Sequence, residues 1–291
     1  MEPVVTVGLD GSPESLAAAR WAADEAERRG LTLRLLHAWP MLAPEPPRAT
    51  AEPDQNYWAK RLVHSARAEL QARHPGLTVV GSLVADDAQE ALLHAAAESE
   101  MTVLGSRGLE YVESYFLGDI SMPLVARAER PVVLVRAEAG KEGAPHPPGT
   151  PGGVVVALKL HGPCDDLLAF AFDAAAVRGV PLKAVHGKSA PLHAHVPWGV
   201  AHDVTEEIRQ DAHEHLVRVL QPWREKFPGV EVIDGIGVES PAKAVVRSAE
   251  GAALLVVGRR MHRPALAPRL GPVAVAAIHH ARCPVAVVPH D

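Results

Sequence analysis

Cysteine is nearly absent from this sequence. Cys164 and Cys283 are the two cysteines among 291 residues, and they have neither the spacing of a metal site nor the number that a disulfide framework needs. Long apolar runs are missing as well, since no stretch approaches the roughly 20 apolar residues that cross a bilayer. The first residues contain no basic segment followed by an apolar one, the pattern of a secretion signal. These absences favour a cytoplasmic protein without a membrane partner.

An excess of positive charge is also lacking. The 29 Lys and Arg residues face 35 Asp and Glu residues, which gives a formal net charge of -6. A general nucleic-acid-binding protein should show a basic surface, so we expect no nucleic-acid partner. Histidine is abundant, with 16 copies. However, pairs such as His193 and His195 are two residues apart and do not share a helix face, so no metal site is predicted.

The sequence does contain an order of segments that occurs twice. The short apolar strand Val4 to Leu9 has a counterpart at Val154 to Leu158. The apolar run that ends at Gly105 has a counterpart that ends at Gly258, and a further glycine follows each of them after thirteen residues. A repeat of this length is a duplicated domain rather than a solenoid unit.

A stretch rich in proline and glycine separates the two halves. It covers residues 137–153 and has no periodicity with which it could bury a core, which is typical of a linker. We therefore predict a first domain at 1–136 and a second at 154–291. In both, predicted strands alternate with predicted helices, a pattern that produces parallel βαβ units with right-handed crossovers. The predicted fold class is α/β, with two tandem doubly wound domains.

One candidate site combines a carboxylate with glycines. Asp10 ends the first strand, and Gly105, Gly108 and Gly118 follow the fourth. A strand, a glycine loop and a helix start form an anion site, because free backbone N–H groups and the helix dipole favour phosphate. In open sheets, ligands bind at the carboxyl ends of strands where the winding reverses. If strands one and four are neighbours, a carboxylate for a ribose hydroxyl and a loop for phosphates suit a nucleotide.

Each of these residues also has a simpler possible role. Asp10 precedes Gly11, Ser12 and Pro13, and an Asp at such a place can shape the turn by itself. The glycines can be turn residues that the backbone alone requires. The sequence leaves both alternatives open.

The segments resemble the universal stress protein family when they are taken together. They are Val7 to Ser12, then Gly105-Ser106-Arg107-Gly108 with Gly118 after nine more residues, then Arg130 to Val135. The chain is similar to the tandem form of this family over nearly its whole length outside the linker. The resemblance implies a five-stranded parallel sheet in each domain, in the order 3-2-1-4-5, with helices on both faces. It also implies a role in stress adaptation or regulation, with ATP binding in many members and none in others.

The family motif is Gly-x2-Gly-x9-Gly followed by Ser or Thr, and Asp119 departs from it. Like charges about 4 Å apart repel by about 1 kcal/mol in water and about 4 kcal/mol at an effective dielectric constant near 20. Three arrangements would relieve a clash with phosphate: a Mg²⁺ ion, donation by Ser121 instead, or a ligand with fewer phosphates. The resemblance implies an adenine-nucleotide site, with ATP as the first candidate. Its candidate residues are Asp10, Gly8, Ala38, Gly105, Arg107, Gly108, Gly118, Asp119 and Ser121.

The second half departs further from the motif. Lys159 stands in the place of Asp10, Met261 replaces the second glycine, and Pro272 replaces the hydroxyl residue. We expect no conventional ATP binding there. Its loop is basic instead, which leads to the hypothesis that the second site is an anion or partner surface. The arginines concerned are Arg259, Arg260, Arg263 and Arg269.

The resemblance also implies how the chain assembles. The two halves are expected to pair within the chain through their last strands, 132–135 and 285–288, and a homodimer and an unidentified protein partner are further expectations. Two other functions compete with nucleotide binding: a nucleotide-free protein-interaction module and a slow ATPase. No hydrolase motif is present, so the chain is not expected to be an enzyme.

Overall fold

The computed structural model describes residues 3–39, 55–106, 120–137, 152–189, 195–196, 199–200, 202–262 and 268–291. The chain divides into two compact units, Met1–Gly140 (unit 1) and Lys141–Asp291 (unit 2). Most of the predicted linker lies outside the described residues. Among the helices in these ranges, none has both the length and the apolar character of a membrane span.

Unit 1 is a doubly wound α/β domain. Its five strands form a parallel sheet in the order β3-β2-β1-β4-β5, which confirms the predicted order 3-2-1-4-5. Its elements are β1 (Val4–Gly8), α1 (Pro13–Arg29), β2 (Thr32–Ala38), α2 (Gln55–Arg73), β3 (Val79–Val84), α3 (Ala88–Ala97), β4 (Met101–Ser106), α4 (Ser121–Arg127) and β5 (Val132–Arg136).

Unit 2 repeats this winding in the strand order β10-β7-β6-β11-β12. Its main elements are β6 (Val154–Ala157), α5 (Asp165–Arg178), β7 (Leu182–Gly187), α6 (His202–Lys226), β10 (Val232–Gly237), α7 (Pro241–Ser248), β11 (Leu254–Arg260), α8 (Pro272–His280) and β12 (Val285–His290). A short antiparallel pair, β8 (His195–Val196) and β9 (Gly199–Val200), precedes α6. This pair was not predicted from the sequence.

Local sequence signals explain where α1 begins and ends. The Ser12 side chain accepts a hydrogen bond from the backbone N–H of Ser15 at 3.1 Å, and Pro13 is the first helical residue. Gly30 ends the helix in the left-handed conformation, with φ of 64°, which glycine adopts without steric cost. α1 therefore begins at a side-chain cap and ends at a left-handed glycine.

Helices cover both faces of the sheet in unit 1. A Cβ atom placed on Gly8 of β1 would meet the side chains of Leu104 and Leu92, the latter on α3. A Cβ atom on Gly105 of β4 would instead meet the backbone of α1 at Glu14. Leu104 and Gly105 are consecutive in one strand and therefore point to opposite faces. α1 and α3 thus pack on opposite sides of the sheet.

Candidate functional site

β1 and β4 are neighbouring parallel strands. Their register pairs Val5 with Met101 and Val7 with Val103, so Asp10 and Gly105 lie at the same carboxyl end of the sheet. β1 also pairs with β2 on its other side, and α1 and α3 cover opposite faces. The winding therefore reverses between β1 and β4, the place where open α/β sheets bind their ligands.

Asp10 shapes the turn that leads into α1. Its Oδ1 atom accepts hydrogen bonds from the Ser12 backbone N–H at 2.8 Å and from the Ser12 hydroxyl at 2.5 Å. Gly11 in this turn has a φ of 84°, which favours glycine. The side chain of Asp10 is exposed.

Gly105 is required by packing within the chain. A Cβ atom at this position would lie 2.5 Å from the carbonyl carbon of Glu14 and 2.6 Å from the backbone nitrogen of Ser15. The backbone that approaches this glycine belongs to the first turn of α1, which therefore lies directly against the end of β4.

Two other predicted residues lie at the same end of the sheet. Gly8 is the last residue of β1, and Ala38 is the last residue of β2, in register with Val84. Ala38 is half-buried. The side-chain position of Gly8 faces α3, whereas that of Gly105 faces α1. A side chain at Gly8 would therefore point to one face of the sheet, and a side chain at Gly105 would point to the other face.

The structure describes only some of the predicted loop residues. Arg107, Gly108, Gly118 and Asp119 lie outside the described residues. Ser121 is the half-buried first residue of α4, and the N-cap residue Ile120 provides no side-chain hydrogen bond to that helix. Of the nine predicted site residues, the structure brings together Asp10, Gly8, Ala38 and Gly105.

A histidine that was not predicted as a site residue lies beside Asp10. His37 Nδ1 lies 2.7 Å from the carbonyl oxygen of Leu9, the residue before Asp10. A carbonyl oxygen only accepts, so Nδ1 carries the proton; in the neutral ring, Nε2 is then an acceptor. The Trp39 ring stacks on His37 with centroids 6.2 Å apart. The recurrence of a histidine at the same place in the second half was the available signal.

A buried hydroxyl was missed as well. Ser106, the last residue of β4, is 5% exposed. Its Oγ atom has no hydrogen-bond partner among the residues that the structure describes. Because a serine hydroxyl both donates and accepts, this group adds hydrogen-bonding capacity where β4 leads into the glycine loop.

Unit 2 reproduces the backbone of this site with different chemistry. Leu158 N–H donates to the carbonyl of Val185 at 2.8 Å, and His186 Nδ1 lies 3.0 Å from the Leu158 carbonyl oxygen. Leu9 makes the same two contacts in unit 1, because its N–H donates to the Leu36 carbonyl at 2.8 Å and its own carbonyl accepts from His37. Lys159 therefore occupies the position of Asp10. Burial is the main cause that lowers the pKa of His186; the hydrogen bond with Leu158 opposes it, and electrostatic repulsion from Lys188, His161 and His215 lowers the pKa further.

The predicted basic surface of unit 2 is wrong in part. Arg259 is 6% exposed, and Arg260 donates to the carbonyl oxygen of His161 at 3.2 Å. Arg263 lies outside the described residues, and Arg269 is exposed. The imidazole of His290 also covers Gly258, since a Cβ atom there would lie 2.4 Å from His290 Nε2. Packing within unit 2 therefore uses groups that the hypothesis assigned to an external anion.

Known proteins are similar to this chain in sequence and in fold. The model of the universal stress protein family matches residues 3–136 and 153–289. A universal stress protein of Mycobacterium tuberculosis H37Rv is 32% identical, over 97% of this chain and 96% of the relative. A second one from the same strain is 30% identical, over 97% and 95%.

Solved structures support the same fold. A universal stress protein from Archaeoglobus fulgidus has a TM-score of 0.66 at 17% identity, over 99% of this chain and 98% of the other. A protein from Pseudomonas aeruginosa UCBPP-PA14, described as a universal stress protein, has a TM-score of 0.61 at 17% identity, over 99% and 93%. With the family model matched twice along its length, the chain belongs to the universal stress protein family in its tandem form.

Proposed function

We propose that unit 1 binds an adenine nucleotide, with ATP as the first candidate, at the carboxyl ends of β1, β2 and β4. The observation that carries the proposal is the adjacency of β1 and β4, which places Asp10 and Gly105 at one winding reversal. An exposed carboxylate there can accept a hydrogen bond from a ribose hydroxyl. Membership of the universal stress protein family supports a role of this binding in stress adaptation or regulation.

The proposed roles follow from where each group lies. Asp10 accepts a hydrogen bond from a ribose hydroxyl, and the backbone at Ala38 borders the adenine. The predicted loop, with Gly105, Gly108 and Gly118, supplies N–H groups to the phosphates, and Arg107 adds positive charge. Ser121, or a Mg²⁺ ion held at Asp119, completes the phosphate contacts. We propose binding without efficient turnover, because the sequence contains no hydrolase motif.

A nucleotide-free interaction module is the second candidate. Two observations favour it: Asp10 Oδ1 already accepts two hydrogen bonds from Ser12, and packing against α1 explains why Gly105 is a glycine. In that case these residues define the start of α1 rather than a ligand site.

Titration of the purified full-length chain with ATP and with AMP, with and without Mg²⁺, tests the proposal. Mass spectrometry of small molecules released on denaturation provides an independent readout. Asp10→Asn separates the two candidates, because asparagine keeps an acceptor for the Ser12 turn but loses the carboxylate charge. Loss of one charge-assisted hydrogen bond should weaken nucleotide binding by at least about tenfold. Lys159→Ala, at the matching position of unit 2, is the control and should leave the affinity unchanged.

Each outcome distinguishes between functions. Absence of a released nucleotide, together with no ATP binding at millimolar concentration in the presence of Mg²⁺, would favour the interaction module. ATP turnover that Asp10→Ala abolishes would favour a slow ATPase. Equal ATP affinity for the wild-type chain and Asp10→Asn would remove Asp10 from the site.

A further inference from the structure

β3 lies at the edge of the sheet in unit 1. Within the described ranges it pairs with β2 alone. Leu33 N–H donates to Thr78 O at 2.9 Å, and Trp39 N–H donates to Val84 O at 3.1 Å. The even-numbered residues of β3 therefore direct their backbone groups towards β2.

The backbone groups of the odd-numbered residues of β3 point away from β2. Successive residues of a strand direct their N–H and C=O groups to opposite sides, so a strand paired on one side presents every second residue at its open edge. In β3 the residues that present both groups at the open edge are Val79, Gly81 and Leu83.

A groove with a volume of about 640 Å³ runs between this edge and α2. Gly81 and Leu83 form the strand side of the groove. The helix side is one flank of α2, with positions spaced three or four residues apart as one helix face requires. The flank residues are Tyr57, Lys60, His64 and Arg67. The adjacent stripe of α2 is buried and holds the helix against the sheet; it consists of Ala59, Val63, Ala66 and Leu70.

The groove combines positive charge with exposed apolar surface. Lys60, Arg61 and Arg67 line it, and no carboxylate does so among the described lining residues. Tyr57 is 47% exposed and Leu83 is 36% exposed. This local positive charge contrasts with the net charge of -6 for the whole chain.

We propose that this groove binds an acidic, extended segment of a partner protein, which adds to the β3 edge as a further strand. Backbone groups of the segment would bond to those of Gly81 and Leu83, as in other cases of strand addition. Every second side chain of the segment would face α2, where acidic groups meet Lys60, Arg61 and Arg67. Apolar side chains on that same face of the segment would contact Tyr57 and Leu83.

Single-stranded nucleic acid is the main competing ligand, because it is anionic and its bases stack on aromatic rings. Trp58 is 61% exposed and contacts the Arg61 guanidinium at 5.7 Å from its ring centre, which would suit a base. The open backbone groups of β3 favour a peptide, since their alternation matches another strand and not a row of phosphates. The proposal is independent of nucleotide binding by unit 1.

A fluorescent peptide that alternates glutamate with valine tests the proposal by anisotropy on the full-length chain. A peptide that alternates lysine with valine is the charge control. We expect binding of the acidic peptide that weakens with salt, and none of the basic one. The triple variant Lys60→Glu, Arg61→Glu, Arg67→Glu should weaken binding by about tenfold or more. The matched control replaces Arg73, Arg209 and Arg218 by glutamate. These arginines are exposed and outside the groove, so the control variant should bind the peptide as the wild type does.

Backbone measurements test the strand addition itself. Amide exchange at Gly81 and Leu83 should slow when the acidic peptide is bound, whereas Ser82, which faces β2, should not change. Leu83→Pro removes an edge N–H without touching the β2 pairing and should abolish binding, with circular dichroism as the check on folding. Equal peptide affinity for the two triple variants would overturn the proposal. So would unchanged exchange at Gly81 and Leu83, or a single-stranded oligonucleotide that displaces the acidic peptide more effectively than unlabelled peptide does.

Discussion

His37 donates from Nδ1 to the carbonyl oxygen of Leu9 across 2.7 Å and so connects the end of β2 to the residue that precedes Asp10. His186 makes the same contact with Leu158 in unit 2 at 3.0 Å. The two contacts occur at matching places in the repeat. This histidine is therefore part of the frame that both units use to hold the carboxyl end of the first strand.

Replacement of His37 by alanine should lower the free energy of unfolding by about 1–2 kcal/mol, because it leaves the Leu9 carbonyl without its side-chain donor. Urea unfolding followed by circular dichroism measures this change. His94→Ala is a suitable control, since the His94 side chain is 83% exposed and its loss should cost little. Equal unfolding midpoints for the two variants would contradict the structural role of His37.

Gly105→Ala should destabilise unit 1 by about 1–3 kcal/mol, because the added methyl group collides with the backbone of Glu14 and Ser15, which cannot move without shifting α1. Gly76→Ala is the matched control, as a Cβ atom there meets nothing within 4 Å. Thermal unfolding of the two variants gives the comparison. A Gly105→Ala protein as stable as the Gly76→Ala protein would show that α1 does not lie against β4 in this way.

Arg34 holds a polar cluster between β2 and α3, and Arg34→Met should lower the free energy of unfolding by about 2–3 kcal/mol. Nε donates to Thr6 Oγ1 at 2.8 Å, and Nη2 donates to Ala95 O at 3.0 Å and to Ser99 Oγ at 3.1 Å. Methionine fills similar space but donates none of these three hydrogen bonds. Chemical unfolding provides the measurement.

Arg34→Lys is the informative companion variant. Lysine keeps the charge but lacks the planar fork of donors, so it should recover only part of the lost stability. The hydrogen bond from Arg34 also lowers the pKa of Glu98. Full recovery of stability in Arg34→Lys would show that charge alone, and not the hydrogen-bonded geometry, maintains the cluster.

Unit 2 should lose stability as the pH falls below the ordinary histidine range. Burial and nearby positive charge lower the pKa of His186 from 6.5 in the folded chain, so the unfolded chain takes up the proton first. The stabilising contribution of neutral His186 is therefore complete above pH 6.5 and is lost as the pH falls through its lowered pKa. Unfolding of the wild type and of His186→Gln at pH 7.5 and pH 5.5 measures this: the variant should show the smaller pH dependence. An exposed control, His280→Gln, should behave as the wild type does.

Local residue patterns determined most of the fold. Ser12, Pro13 and Gly30 set the limits of α1, and the twofold order of apolar strands and glycines predicted two doubly wound units. These features depend on neighbours in the chain, through capping, backbone freedom and periodic burial, and can therefore be recognised from the sequence. The resemblance to a family added the strand order, which the described strands confirm.

Tertiary structure alone decided what several predicted site residues do. Gly105 is a glycine because α1, which is distant in sequence, lies against it, and Arg259 is buried although its sequence neighbours suggest a basic surface. The groove beside β3 is likewise formed by residues of α2 and β3 that no local pattern connects. Close packing between elements far apart in the chain depends on the positions of both partners, and a sequence pattern records only one partner at a time.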